Sequence, residues 1–281
     1  MEKHLYITDL DGTLLRSNAT LSDYSRDTIN KLIKEGMNFT FATARSIESS
    51  KPITKELEIS LPVITANGAF LTDFKTHRHI HVSEIEKCVK KRALEIIHSG
   101  GCEPFISSHN NGSDNLYFSN INCEGMNIFY RDRVENKDRR LKKTEDLYGR
   151  LFEQVVTFNV INEFDKIERL AGNLEAELGD SLEIHYSEDM YLRGWCWLTA
   201  QSKYATKENG IRLLKEFSSL SDSKVVAFGD NVNDIKMIKS ADIGVAVANA
   251  LKEVKLSAKV VIGENDIDSV ANYLLGIQNG N

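Results

Sequence analysis

Residues Ile7-Thr8-Asp9-Leu10-Asp11-Gly12-Thr13 decide how this chain of 281 residues is read. An apolar stretch, Leu5 to Ile7, runs straight into two aspartates separated by one residue, and a glycine and a threonine follow at once. Such a strand end packs poorly but offers chemistry. Open α/β sheets bind their ligands beyond the carboxyl ends of their strands. A second acidic run, Gly229-Asp230-Asn231-Val232-Asn233-Asp234, follows another apolar segment, Lys224–Phe228, far downstream.

Outward from the opening run, strand and helix patterns alternate. A helix is predicted over Ser25–Glu35, with Ile29, Leu32 and Ile33 at helical spacing and Gly36 as a stop. Met37–Ala42 reads as a strand ending in Thr43-Ala44-Arg45, Ser46–Leu57 as a helix, and Pro62–Thr65 as a third strand ending in Ala66-Asn67-Gly68. This alternation predicts a parallel sheet with right-handed crossovers.

The middle of the chain differs. A helix begins near Ser83, with Val89, Ala93, Ile96 and Ile97 on one face, and a second spans Glu163–Leu178, capped by Gly179. Short strands are predicted near Glu103–Ser107, Asn115–Phe118, Val155–Val160, Leu182–Tyr186 and Met190–Leu192. The polar run Arg131–Lys143 reads as a solvated loop or exposed helix, and Asn110–Asp114 as a loop. The last third returns to the first pattern: strands at Trp195–Leu198, Lys224–Phe228, Ile243–Val247 and Val260–Ile262, with a helix over Lys207–Phe217. The fold expected is α/β. A Rossmann-like parallel-sheet core formed by residues 1–82 and 194–281 is interrupted by an inserted α+β domain, residues 83–193.

Composition narrows the function. A net charge of −6 argues against a nucleic-acid surface, where a basic patch is expected. No stretch approaches the roughly 20 apolar residues of a membrane span. Cys88, Cys102, Cys123 and Cys196 show no paired metal-ligand spacing, and Met1-Glu2-Lys3-His4 enters a strand directly, leaving no room for a signal peptide. The expectation is a cytoplasmic protein with free thiols.

In a parallel sheet, Asp9 and Asp11, Thr43, Asn67, and Asp230 with Asp234 share one edge, and Lys207 opens a helix in the same domain. Converging carboxylates repel. Two like charges about 4 Å apart cost about 1 kcal/mol in water and roughly four times that near protein. All-oxygen ligands call for a hard cation, and Mg²⁺ suits one or two carboxylates plus a substrate phosphate. Lys207 adds a point charge for phosphate, Thr43 a hydroxyl, and the amides around Leu10 and Gly12 an anion nest. Lys203 competes with Lys207, but Ile211 and Leu214 set a helix that begins at Lys207.

These motifs resemble those of the haloacid-dehalogenase-like superfamily: Asp9–Thr13 (DLDGT), Thr43 after a strand, Lys207 ahead of a helix, and Gly229–Asp234 (GDxxND). Asn67-Gly68-Ala69, Ala248-Asn249-Ala250 and the large insertion are similar to its Cof-type branch. The resemblance implies a phosphatase acting on a small phosphorylated metabolite through an aspartyl-phosphate. It implies Asp9 as nucleophile and Asp11 as acid and base, with the Asp11 backbone carbonyl at the metal. Asp230 and Asp234 would complete a Mg²⁺ site with Asp9 and Asp11. Thr43 and Lys207 would bind phosphoryl oxygens, and Asn233 would line the pocket. Ala44, Arg45 and Asn67 join Leu10 and Gly12 as candidate phosphate or substrate contacts, although Arg45 reads equally as a helix-capping or surface residue and Asn67-Gly68 as a plain turn. The inserted domain would then be a cap that selects substrate. Two other readings stay open: a phosphotransferase or phosphosugar mutase, and a catalytically silent phosphometabolite-binding regulator. His77, His79 and His81 read as the polar face of a hairpin, and Trp195 and Trp197 as sheet-face packing.

Overall fold

A computed structural model describes residues 3–188 and 193–278. The chain divides into two compact units: Met1–His81 with Thr206–Asn281, and Val82–Ala205.

In the first unit, β1 (His4–Thr8) is followed by β2 (Asn38–Phe41), β3 (Val63–Thr65), β4 (Phe70–Thr72) and β5 (His79–Val82). The second unit carries β6 (Pro104–Asn110), β7 (Ser113–Phe118), β8 (Leu141–Lys143), β9 (Gln154–Asn162), β10 (Leu182–Glu188) and β11 (Cys196–Ser202). The chain then returns to the first unit with β12 (Lys224–Gly229), β13 (Ile243–Ala246) and β14 (Val260–Val261).

The first unit is built on a parallel sheet in the order β14-β13-β12-β1-β2. Its strands are apolar on both faces, as a sheet covered on both sides requires. Tyr6, Phe39, Phe41, Val226 and Phe228 pack on one face, and Leu5, Ile7, Val225 and Ala227 on the other. Because β1 lies between β12 and β2 with Thr8 opposite Phe228 and Phe41, the carboxyl ends of three strands stand side by side.

β3 departs from the expected pattern. It touches the parallel sheet through one bridge, Ala42 to Ile64, and then pairs antiparallel with β4 in a small sheet of order β3-β4-β5. The chain reverses because Ala66 (φ 48°), Asn67 (φ 53°) and Gly68 (φ 97°) are all left-handed. His79, on β5, stacks on Phe70 and hydrogen-bonds Thr72 Oγ1 through Nδ1 at 2.8 Å.

The second unit is a six-stranded sheet in the order β10-β11-β9-β6-β7-β8, antiparallel except where β8 joins β7 in parallel. Helices Lys87–Ser99 and Phe164–Leu178 cover one face over Ile106, Phe158, Val160 and Leu198. On the other face, helix Glu124–Glu135 meets Phe105, Phe118, Ile161 and Trp197. β6 and β7 are joined through Asn111 and Gly112, both left-handed, which suits a tight hairpin.

Several local expectations change. The strand predicted at Trp195–Leu198 is Cys196–Ser202, and it pairs antiparallel with β9 and β10 rather than joining the parallel sheet. Its residues already hint at this: Cys196, Leu198 and Ala200 are buried, while Trp197 and Thr199 alternate with them on the other face. Arg131–Lys143 is the end of a helix followed by edge strand β8. Gly179 follows its helix in the right-handed region, at φ −58°. The strand expected at Met190–Leu192 lies outside the described residues.

Phe158 is fully buried between the two helices and the sheet of the second unit. Phe158→Ala should therefore lower unfolding stability by about 3–5 kcal/mol, read from urea denaturation followed by far-ultraviolet circular dichroism.

Candidate active site

Adjacent strand ends carry the predicted residues. Asp9 follows β1, and its amide donates to the Phe228 carbonyl at 2.9 Å, which ties the loop to β12. The chain turns through Asp11 (φ −69°, ψ 127°) and Gly12 (φ 73°), and the Leu15 amide then donates back to the Leu10 carbonyl at 2.8 Å. Glycine is required at position 12. Its backbone is left-handed, and a Cβ there would lie 2.4 Å from Asp230 Oδ2. The Leu10 side chain is buried in the core, so its contribution to the loop is its backbone.

Lys207 is the first residue of its helix. The preceding Thr206 caps that helix by accepting the Asn209 amide. The lysine is 2% exposed, and its Nζ donates to Asp9 Oδ1 and to Asp234 Oδ1, each at 2.6 Å. Close approach of β3 to this helix start needs Gly68, where a Cβ would fall 2.2 Å from the Thr206 carbonyl oxygen. Lys203, the competitor, is exposed and donates to the Asp180 carbonyl at 2.8 Å.

Asp234 is fully buried and works in two directions. While Oδ1 accepts from Lys207, Oδ2 accepts the amides of Asp230 (3.0 Å) and Asn231 (3.1 Å), closing the turn that bears Asp230. Asp230 is held from the other loop, where Thr13 Oγ1 donates to its Oδ1 at 2.6 Å. Sequence reasoning gave Thr13 no role of its own. Thr13 stands inside the first acidic motif, but its partner lies 217 positions away, and nothing in the motif itself points to it.

The remaining candidates divide. Asn233 Nδ2 donates to Asn67 Oδ1 at 2.9 Å, bringing two predicted residues together. Thr43 is buried beyond β2, with its hydroxyl accepting the Arg45 amide at 3.1 Å, and Ala44 is exposed. Arg45 forms a two-pronged pair with Asp11, Nε to Oδ2 at 2.7 Å and Nη2 to Oδ1 at 2.6 Å. The Asp11 carboxylate therefore engages Arg45, apart from the cluster of Asp9, Asp230 and Asp234, whose oxygens come within 4.8 Å of one another.

That cluster sets two buried carboxylates and a half-buried one, Asp230, against one ammonium, a surplus of two negative charges if all ionise. Burial raises the Asp9 carboxyl well above its usual range, with Lys207 opposing the rise and Asp234 and Asp230 reinforcing it. Burial and then the Asp234 charge push Asp230 up to about 6, against the pull of the Thr13 hydroxyl. Burial pulls the Lys207 ammonium down, but Asp234 and Asp9 outweigh it and hold the lysine above its usual value. A proton or a cation relieves the surplus, and an all-oxygen donor set fits a hard divalent ion.

The family profile for haloacid dehalogenase-like hydrolases matches residues 6–274. The chain belongs to this family. It is similar to the pyridoxal phosphate phosphatase YbhA of Escherichia coli, with 28% identity over 98% of both chains. It is also 23% identical to the 5-amino-6-(5-phospho-D-ribitylamino)uracil phosphatase YitU of Bacillus subtilis, over 96% of each chain. Among solved structures, a haloacid dehalogenase-like hydrolase from Bacteroides thetaiotaomicron shares the fold with a TM-score of 0.79 at 22% identity, covering 98% of this chain and 100% of the other.

The charge surplus gives this hydrolase a pH signature. A carboxyl raised in the folded state binds its proton more tightly folded than unfolded, so stability falls as pH rises from the unfolded value through about 6. In the presence of a chelator, Tm should fall between about pH 5 and about pH 7, and added Mg²⁺ should raise it more at the higher pH. Differential scanning calorimetry checks this, and a flat profile would mean that Asp230 is solvated.

Proposed function

We propose that this hydrolase is a Mg²⁺-dependent phosphatase that cleaves a small phosphorylated metabolite through an aspartyl-phosphate. The observation that carries the reading is the buried Lys207 bonded to both Asp9 and Asp234, beside an Asp230 held by Thr13. The two named relatives act on pyridoxal phosphate and on a phosphoribitylamino-uracil, which supports a small phosphate monoester as substrate.

In this reading Lys207 fixes the Asp9 carboxylate through Oδ1, leaving Oδ2 to attack phosphorus. Asp9, Asp230 and Asp234, with the Asp11 backbone carbonyl, would hold Mg²⁺, which supplies charge neutralisation for the phosphoryl group. Thr43, Lys207 and the amides of the Leu10–Gly12 turn bind phosphoryl oxygens, and Asn67 and Asn233 border them. Asp11, once freed from Arg45 and protonated from solvent, gives that proton to the leaving oxygen, then takes one from the water that opens the acyl phosphate. Arg45 now occupies Asp11, and a phosphate oxyanion competes for the guanidinium, which frees the carboxyl. A carboxylate nucleophile divides one difficult displacement into two easier ones, and the transfer itself depends mostly on positioning and charge neutralisation.

The unit Val82–Ala205 is read as the cap that selects substrate. No helix among the described residues is long and apolar enough to cross a membrane, and the protein is read as cytoplasmic, with no nucleic-acid partner.

A screen of phosphorylated metabolites for released inorganic phosphate, with Mg²⁺ and no acceptor, tests the reading. Release without an acceptor separates a phosphatase from a phosphotransferase, and no release from any ester overturns both hydrolysis and the nucleophile assignment. Asp9→Asn should cut turnover by at least about a thousandfold while leaving the circular dichroism spectrum unchanged. Thr13→Val should raise the Mg²⁺ concentration for half-maximal activity about tenfold, since Asp230 loses its anchor, and an unchanged Mg²⁺ titration would remove Thr13 from that role.

A further inference from the structure

Two asparagines outside the acidic cluster touch the back of the Asp9 loop. Asn249 follows β13, and its Nδ2 donates to the Gly12 carbonyl at 2.7 Å. Asn265 follows β14 and is buried, and its Nδ2 donates to the Leu15 carbonyl at 2.8 Å. The two are joined, because the Asn265 amide donates to Asn249 Oδ1 at 3.0 Å. The same segment holds the second acidic loop: the Leu251 amide donates to the Asp230 carbonyl at 3.0 Å and the Val247 amide to the Gly229 carbonyl at 3.4 Å.

We infer that Asn249 is a positioning residue for the phosphoryl-transfer site, acting through the Gly12–Thr13 peptide. This rests on the phosphatase reading above. The peptide is trans, so its N–H points away from the carbonyl that Asn249 holds. Fixing that carbonyl therefore fixes the direction of the Thr13 amide, at the residue whose hydroxyl also anchors Asp230. Gly12 sits at φ 73°, where glycine resists rotation least. Backbone hydrogen bonds secure the loop at Asp9 and at Leu15, one on each side of Gly12. Asn249 adds the hold on Gly12 itself, and Asn265 keeps Asn249 oriented while tying down the end of the loop. A site whose chemistry depends on fixed donors loses rate when a supporting contact is lost, even though substrate still binds.

Asn249→Asp separates the two bonds. It keeps an oxygen for the Asn265 amide but replaces the donor to Gly12 with a second oxygen. With p-nitrophenyl phosphate and Mg²⁺, kcat should fall by at least about tenfold while KM stays within about twofold. Amide hydrogen exchange over Leu10–Leu15 should quicken, with the rest of the chain unchanged. Asn249→Ala should move both readouts the same way, and it replaces the aspartate variant if that fails to fold. A kcat within about twofold of wild type, or unchanged exchange over Leu10–Leu15, overturns the inference. If the wild-type enzyme hydrolyses no phosphate ester, the phosphatase reading fails, and the exchange measurement alone decides whether Asn249 holds the loop.

Discussion

The structure turns on one buried ammonium. Lys207 is almost wholly enclosed and bonded to two carboxylates from loops after different strands. Removing one partner of a buried ion pair costs about 3–5 kcal/mol, because the other charge is left uncompensated. The fold must therefore bring three things to one point: the end of β1, the turn after β12 and the start of the Lys207 helix. β1 and β12 are neighbours in the sheet, with the Asp9 amide bonded to the Phe228 carbonyl. The helix start reaches them because Thr206 caps it and Gly68 lets it approach.

One ammonium cannot balance three carboxylates, and the imbalance is what makes the cluster useful. A fully compensated cluster would be more stable and would attract a divalent cation less strongly. Here Asp230 is pushed up to about 6, in a range where a small change of environment decides its charge. The polar side chains around it are spoken for: Asp234 by backbone amides and Lys207, Asp230 by Thr13. Such a cluster can accept a cation with little rearrangement, because its donors are already oriented.

Much of this was legible in the sequence, for identifiable reasons. Alternation of strands and helices pointed to the parallel sheet, though β3 leaves it after one bridge, and the position of Ile211 and Leu214 separated Lys207 from Lys203. What was not legible involved partners rather than residue types. Burial alternates along β11, with Cys196, Leu198 and Ala200 buried and Trp197 and Thr199 half-buried, but its run of three apolar residues and its place after the middle segment drew it toward the core. Arg45 and Asp11 are separated by 34 positions, and nothing in either run announces that they pair. Thr13 lies within the motif itself, but its bond spans 217 positions to Asp230. Side-chain pairings over such separations are decided by the geometry of loops, on which periodicity is silent.

The reversal after β3 shows why loop geometry escapes a reading of propensities. Asn67 and Gly68 tolerate left-handed backbone, but Ala66 does not favour it, and it sits at φ 48°. Strain of this kind costs on the order of 1 kcal/mol or more per residue and persists only where surrounding contacts over-determine it. Those contacts are visible. The Ala66 amide donates to the Arg45 carbonyl, the Asn67 amide to the Thr43 carbonyl, and Gly68 packs on Thr206. The strained turn thus joins the segment bearing Thr43 and Arg45 to the residue that caps the Lys207 helix. Relaxing Ala66 into a right-handed conformation would move the Asn67 side chain off Asn233 and withdraw the support beneath Thr206. The unfavourable backbone at this turn is therefore a consequence of where Lys207 has to stand.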